Sequence, residues 1–260
     1  MWNIMKAQHY QTRTSNATFY VTIISIAVMC MALLDVSDFG SMSGSMYMVM
    51  SMGFIPICLV IFSLVVVASV CGWDMNDKTI NYELLSGHSR AQVYFGRILV
   101  AYMWAIIGGM VVTLGPVLLM TVIKGWGDNV LFSEAMKVYF LTFAVYIRWI
   151  SELALITFLV RNSFAAGFLS YAIFGVTVIL GSVLEEMLDV SVGYLFSSTN
   201  MMAVADLSNS RNMIIDGKTV EVYSSAVSTG LQTNTVIASC LVAVCCIGLG
   251  YMTFRKRDMR

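Results

Sequence analysis

The chain has 260 residues, of which 58% are hydrophobic and only 12% are charged, and its 15 basic and 15 acidic residues balance to a net charge of zero. Soluble domains carry about 25% charged residues, so this composition excludes an ordinary water-soluble fold and favours a membrane protein. The lack of a basic excess also excludes nucleic acid as a partner, because proteins that bind it need a positive surface to hold phosphates.

The first segment, residues 1–17, mixes apolar and polar side chains before any long apolar run begins. Ile4 and Tyr10 alternate there with the basic residues Lys6 and Arg13. Such a mixture is typical of an amphipathic helix lying in the membrane interface. We therefore expect an interface helix at the N-terminus, on the cytosolic side.

Six apolar stretches are candidates for transmembrane helices. A hydrocarbon core of about 30 Å requires about 20 helical residues at a rise of 1.5 Å per residue. The stretches that meet this requirement are residues 18–34, 48–71, 93–123, 138–160, 164–184 and 235–254. The third is longer than one crossing needs, so we expect it to tilt or to project into water.

Lysine and arginine residues predict the orientation, because loops rich in them stay in the cytosol. With six spans, both termini lie on one side, and most of the basic residues lie on that side with them. The basic residues outside the spans on the other side are Lys124, Lys137, Arg211 and Lys218. The sequence thus predicts an all-α polytopic membrane protein with six transmembrane helices and cytosolic N and C termini.

The loop between the second and third spans, residues 72–92, contains a short helical pattern in which Ile80 and Leu84 recur at helical spacing. Gly87 can adopt the left-handed conformation that ends a helix, and Ser89 can cap the helix that follows. By composition alone, this short helix is explained equally well as a part that docks onto a soluble partner or as a solvated loop.

Two charged residues, Arg148 and Glu152, lie midway along the fourth predicted span at i, i+4 spacing. They share one helix face and can form an ion pair. A charge at a helix centre costs about 2.5–3.5 kcal/mol on insertion scales, so the pair should face protein or water instead of lipid. Lining a substrate path and locking the span to a neighbour remain equally good explanations.

The external segment, residues 185–232, is too polar to span. Its apolar patches at residues 190–196 and 201–207 are too short to cross a membrane and predict re-entrant or interface-lying helices. Residues 209–221, which include Asp216-Gly217-Lys218, predict an exposed turn or hairpin.

Motifs for nucleotide hydrolysis and for enzyme catalysis are absent from the sequence. There is no G-x-x-x-x-G-K-[ST] phosphate loop, H-E-x-x-H or G-x-S-x-G, so we predict no catalytic residues and place any ATPase on a separate polypeptide. The six cysteines fall in or beside apolar runs without a C-x-x-C pair, which predicts small buried side chains and no metal site.

A family resemblance rests on the loop before the third span. The matching residues are Lys78-Thr79-Ile80, Leu84-Leu85-Ser86-Gly87, Ser89-Arg90 and Gly96-Arg97. They resemble the signature of ABC-2 type transporter permeases. Within that superfamily the chain is most similar to the small six-span permeases of Gram-positive bacteria that export, or give immunity to, lantibiotics and other antimicrobial peptides.

The resemblance implies one transmembrane domain over residues 1–260 in the bacterial cytoplasmic membrane. It implies two permease subunits, identical or paralogous, each contacting a cytosolic ABC ATPase subunit that holds ATP and Mg²⁺, with no cofactor in this chain. The residues it implies for ATPase coupling are Lys78, Thr79, Ile80, Leu84, Leu85, Ser89 and Arg90. We also expect Arg90 and Arg97 to anchor at lipid phosphates.

The leading hypothesis is therefore a permease subunit of an ABC exporter, which moves an amphipathic peptide or lipid-like substrate out of the cytosol or membrane. The chain itself is not expected to be an enzyme. The alternatives are a membrane immunity or sensor protein that binds without transport, and an ion-coupled transporter that works alone through Arg148 and Glu152.

Overall fold

The computed structural model describes residues 1–31, 42–76, 80–160, 162–188, 193–207, 209–215, 218–225 and 229–256. Its helices in these ranges are α1 (Trp2–Thr14), α2 (Asn16–Met31), α3 (Gly44–Ser51), α4 (Ile55–Asn76), α5 (Ile80–Leu85), α6 (Arg90–Lys124), α7 (Phe132–Val160), α8 (Ser163–Leu188), α9 (Ser197–Val204) and α10 (Thr229–Lys256). A 3₁₀ turn covers Gly193–Leu195, and two strands, β1 (Asn209–Ile215) and β2 (Lys218–Ser224), form a hairpin.

Five of these helices, α4, α6, α7, α8 and α10, are long and apolar enough to cross a membrane. This confirms the prediction of a helical, multi-pass membrane protein. The helix of the first predicted span, α2, is apolar but has only 16 residues. Residues 32–34, which end that predicted span, lie outside the described residues.

The second predicted span begins later than expected. Instead of one helix from residue 48, a turn after Ser51 separates the short helix α3 from α4, which begins at Ile55. Pro56 explains the break, because a proline has no N–H to continue the helix ladder and is favoured in the first turn of a new helix. The candidate for the second membrane span is therefore α4, and α3 is a separate short helix.

Helix α7 lies at the centre of the bundle and is bonded to its neighbours through large buried side chains. The indole N–H of Trp149 donates to Ser63 Oγ of α4 at 3.0 Å. The hydroxyl of Tyr146 donates to the backbone carbonyl of Ala105 in α6 at 3.2 Å. These bonds satisfy polar atoms that would otherwise be buried without partners, and they fix the three helices relative to one another.

Close packing of α4 against α6 depends on two glycines. A Cβ at Gly108 would collide with the ring of Phe62, and one at Gly109 would lie 2.9 Å from a Leu59 methyl group. Small residues let helix backbones approach closely, which provides the van der Waals contact that holds membrane helices together.

The N-terminal helix and the end of the last helix lie at the same end of the bundle. Ile4 of α1 lies beside Gly96, near the start of α6. In the first turn of α6, Arg90 Nη1 donates to the backbone carbonyl of Arg255 in α10 at 2.7 Å. We refer to this as the α5 end, since α5 immediately precedes α6.

The opposite end of the bundle carries α3, the hairpin and the loop that joins α6 to α7. Gly44 N donates to the carbonyl of Gly125 at 2.9 Å, and Tyr223 N donates to the carbonyl of Asn129 at 2.7 Å. The strands pair antiparallel from Asn209↔Ser224 to Ile215↔Lys218, which confirms the predicted hairpin. We call this the hairpin end.

The two short helices predicted in the external segment are only partly present. In the described part of residues 190–196, the helical element is the single 3₁₀ turn Gly193–Leu195. Helix α9 starts at Ser197, four residues before the second apolar patch at 201–207. Its start is set by polar contacts that hydrophobicity does not reveal, described below.

Candidate functional site

The end of the short helix α5 is fixed by local backbone geometry. Gly87 adopts a left-handed φ of +91°, its N–H donates to the Leu84 carbonyl at 3.2 Å, and His88 N donates to the Glu83 carbonyl at 3.4 Å. These two bonds form a Schellman motif, which glycine favours because it has no Cβ. The predicted helix end at Gly87 is confirmed.

Helix α6 begins shortly after α5 ends. Ser89 Oγ accepts a hydrogen bond from Gln92 N at 3.3 Å, and Gln92 Oε1 accepts one from Ser89 N at 3.1 Å. This capping box confirms that Ser89 starts α6. Only a few residues, each fixed by hydrogen bonds, therefore separate α5 from the long helix.

A buried ion pair attaches α5 to two of the long helices. Arg97 of α6 is fully buried, and its Nη2 lies 2.9 Å from Glu83 Oε1 of α5. Its Nη1 donates to the backbone carbonyl of Val70 in α4 at 3.3 Å. The expectation that Arg97 anchors at lipid phosphates is wrong, because its guanidinium lies inside the protein and holds α4, α5 and α6 together.

The side chains of α5 divide between an inner and an outer face. Ile80 is 2% exposed within the hydrophobic core, and Leu84 packs partly against that core. Leu85 is 82% exposed. Of the residues predicted for ATPase coupling on α5, Ile80 is thus inaccessible to a partner in this arrangement, and Leu85 is the outward-facing one.

The other residues predicted for coupling have different positions. Lys78 and Thr79 lie outside the described residues. Ser89 caps α6, and Arg90 is half-buried with its guanidinium directed to the carbonyl of Arg255. Arg90 thus joins α6 to the end of α10 at the same end of the bundle.

The second predicted feature, the charge pair of α7, is present and fully engaged. Arg148 Nε lies 2.9 Å from Glu152 Oε1, as the i, i+4 spacing predicts. Arg148 also donates to the backbone carbonyls of Tyr194, at 3.1 Å, and Leu195. Ser197 Oγ donates to the second carboxylate oxygen of Glu152 at 2.5 Å.

These contacts bring residues 194–200, which include the first turn of α9, into the bundle. Arg148 lies 16 residues after the start of α7, about 24 Å along the helix. Ser198 is hydrogen-bonded to Thr177 of α8 at 2.7 Å, and Thr235 of α10 donates to Asn200 Oδ1 at 3.3 Å. Residues 194–200, which we call the re-entrant segment, therefore reach into the bundle, and these polar groups are satisfied by protein as burial in a membrane would require.

A cavity opens at the hairpin end between the α3–α4 turn, α9 and β2. It has a volume of about 440 Å³ and is lined mainly by apolar side chains, including Met52, Met202 and Leu207, with Asp206 and Tyr223 beside them. Burial, and then the adjacent Glu221 carboxylate that accepts its hydrogen bond, raise the pKa of Tyr223 above its ordinary value. The Tyr223 hydroxyl donates to Glu221 Oε2 at 3.0 Å.

The six cysteines are free thiols that differ in burial, and Cys30 and Cys246 are half-buried. Cys58 and Cys71 are buried in α4 as predicted, whereas Cys240 and Cys245 are exposed on α10, so the prediction of burial is wrong for these two. Periodic burial on α10 leaves one face outside the bundle, where apolar thiols face lipid at little cost. In the described ranges, no group of three or more histidine, cysteine or acidic residues could hold a metal ion.

One of the two ion pairs described above could be predicted from the sequence. Sequence reasoning placed Arg148 beside Glu152 correctly but gave no sign of the Glu83–Arg97 pair, whose members are separated by a turn and belong to different helices.

Comparison of the chain with protein-family models, with curated proteins and with solved structures finds no match.

Proposed function

We propose that this chain is the permease subunit of an ABC exporter, and that α5 is the helix through which a separate cytosolic ATPase moves the spans. One observation carries the proposal: α5 is anchored on its inner face by the Glu83–Arg97 pair and exposes Leu85 on its outer face. A solvated loop would need neither the buried anchor nor the outward apolar side chain.

The anchor makes α5 suited to transmit movement. Arg97 joins α5 to α4 and α6, and the Schellman motif and capping box leave little freedom between α5 and α6. A push on α5 would therefore move the ends of two spans together, instead of being absorbed in a flexible loop. Packed elements with discrete contacts are the means by which such movements are passed on.

The exposed side of α5 is suited to docking. Full burial of a leucine side chain is worth about 1.5–3 kcal/mol, so Leu85 would stabilise a complex if a partner covered it. A short helix that inserts an apolar side chain into a groove is a common mode of protein recognition. In the proposed complex the partner is an ABC ATPase subunit that holds ATP and Mg²⁺.

The proposed topology has six crossings by α2, α4, α6, α7, α8 and α10, with both termini in the cytosol of a bacterial cell. The position of α1 and the end of α10 at the α5 end supports this, as does the excess of basic residues there. The proposed second permease subunit, identical or paralogous, would cover part of the apolar surface that α8 leaves exposed.

The proposed substrate is an amphipathic peptide or a lipid-like molecule that leaves the cytosol or the membrane. The cavity at the hairpin end supports this class, because flexible methionines such as Met52 and Met202 adapt to varied apolar shapes. Asp206 at the same cavity adds a polar group of negative charge. Outward movement would bring such a substrate to this end.

The contacts of the charge pair favour this proposal over a stand-alone ion-coupled transporter. Both oxygens of Glu152 already accept hydrogen bonds, from Arg148 and from Ser197. A coupling carboxylate must bind and release its ion, which these bonds would oppose. The pair is better suited to holding the re-entrant segment in place.

Introduction of a charge at the exposed apolar residue of α5 tests the proposal. We expect the tagged chain, co-expressed with its neighbouring genes, to recover an ATPase subunit on purification, and Leu85→Glu to reduce that recovery at least about tenfold, since it places a charge in an apolar groove. The matched control is Leu131→Glu, at a position 59% exposed at the hairpin end, which should leave recovery unchanged. Equal recovery with Leu85→Glu, or no ATPase with the unaltered chain, would contradict the proposal.

A further inference from the structure

A polar cleft separates α1 from α4 at the α5 end of the bundle. It has a volume of about 320 Å³, which is within the usual range for small-ligand sites. One wall comes from the second half of α1 and the other from the last turns of α4. The second predicted span ends at residue 71, two residues before Trp73, which lines the cleft, and this spacing places the cleft at the expected depth of lipid headgroups.

The lining of this cleft has an unusual chemical character. Among the described residues that form it are two glutamines, four hydroxyl side chains and one tryptophan, and none of these seven ionises. A phosphate or an ammonium group would therefore find no charge partner in the lining, and transferring a charge without a partner is costly. The cleft is suited to a neutral ligand that is rich in hydrogen-bonding groups.

Several polar groups in the cleft are available to such a ligand. The side chains of Gln11, Ser15 and Trp73 make no hydrogen bond to another described residue. They offer an amide that both donates and accepts, a hydroxyl, and an indole N–H. Thr12 and Ser69 donate to backbone carbonyls within their own helices, which leaves their oxygens able to accept.

The tryptophan adds a flat apolar surface to these polar groups. Trp73 is 54% exposed although it is the largest side chain in the lining. An aromatic face packs against the C–H groups of a sugar ring while the surrounding amides and hydroxyls bond its hydroxyl groups. Tryptophan is also enriched at membrane interfaces, where one part of the ring is apolar and the other is wet.

We propose that this cleft binds a polyhydroxylated neutral group, namely the sugar headgroup of a membrane glycolipid, between α1 and α4. The headgroup would bond Gln11, Ser15 and Trp73, and its acyl chains would lie along the apolar outer surface of the bundle. The proposal does not depend on the ATPase partnership proposed above, so each can fail without the other.

Native mass spectrometry of the purified full chain in detergent tests this site. The probes are a monoglucosyl diacylglycerol and a phosphatidylcholine with the same acyl chains. We expect the glucosyl lipid to bind at least about tenfold more tightly, since the cleft offers hydrogen bonds to hydroxyl groups and no charge partner for phosphocholine. Equal binding of the two lipids would overturn the proposal.

Variants assign the binding to the cleft. We expect Gln11→Leu to weaken binding of the glucosyl lipid about fivefold, which is the loss of one hydrogen bond of about 1 kcal/mol, and Trp73→Leu to weaken it about tenfold. The control, Asn3→Leu, makes the same kind of change at an exposed position of α1 outside the lining and should not alter binding. Unchanged binding in both cleft variants would overturn the proposal.

Two further readouts complete the test. Gln11 is exposed, so Gln11→Leu should keep the thermal stability of the unaltered chain. If Trp73→Leu does not fold, binding by the Gln11→Leu variant is sufficient to test the proposal. Methyl glucoside added in excess distinguishes the sources of the sugar. Displacement of the lipid by free methyl glucoside would support the site with a soluble saccharide as its ligand, whereas retention of the lipid would support it with a glycolipid.

Discussion

Arg148→Ala is expected to destabilise the folded chain by about 3–5 kcal/mol, the range for removing one member of a buried ion pair. The change leaves the Glu152 carboxylate without its cation in the middle of α7. It also removes the donors that satisfy the carbonyls of Tyr194 and Leu195. Loss of monodisperse protein on size exclusion, together with a lower thermal unfolding temperature, would measure the effect.

The double change Arg148→Leu, Glu152→Leu is the matched control, because it removes the whole pair and leaves no unpaired charge. We expect it to be expressed better than Arg148→Ala, although the carbonyls of the re-entrant segment still lose their donors. If the double variant is as poor as the single one, the carboxylate is not the source of the damage. If it is expressed as well as the unaltered chain yet does not transport, the pair serves transport and not assembly.

Arg97→Leu should detach α5 from the ends of α4 and α6. Charge-assisted hydrogen bonds are worth about 1.5–3 kcal/mol each, and the change removes the bonds from Arg97 to Glu83 and to the Val70 carbonyl. We expect the amide hydrogens of α5 to exchange at least about tenfold faster, measured by hydrogen exchange on the full chain. In the proposed complex, the ATPase would still bind Leu85 but would no longer drive transport.

Arg97→Lys is the control for this prediction. Lysine keeps the charge but has one ammonium group in place of the planar fork, so it cannot hold Glu83 and the Val70 carbonyl in the same geometry. Its exchange rates should fall between those of the unaltered chain and of Arg97→Leu. Exchange in α5 that is unchanged in Arg97→Leu would show that the ion pair does not hold the helix.

Features set by neighbouring residues could be predicted from the sequence. The length of the apolar runs predicted the five helices that are long and apolar enough to cross a membrane. Gly87 predicted the end of α5, and Ser89 predicted the start of α6, because each of these signals acts within one or two helical turns. The break before α4 could also have been found, since Pro56 lies inside the predicted second span.

Features set by tertiary contacts could not be predicted in this way. Arg97 lies near the start of the third predicted span, where a basic residue is expected at the interface, and its burial depends on how α4, α5 and α6 pack. The carbonyl partners of Arg148 lie 46 and 47 residues further along the chain. No pattern within α7 points to them, so the alternatives for the charge pair could be separated only by the fold.

The most direct measurement for the proposed mechanism is photo-cross-linking in intact cells with a benzoylphenylalanine at position 85. The chain with this probe should form one cross-linked product with a cytosolic ATPase subunit, whereas the same probe at Leu131, at the hairpin end, should not. Cross-links from position 85 to lipid alone, or labelling of a cysteine at that position by a membrane-impermeant reagent outside the cell, would contradict the account.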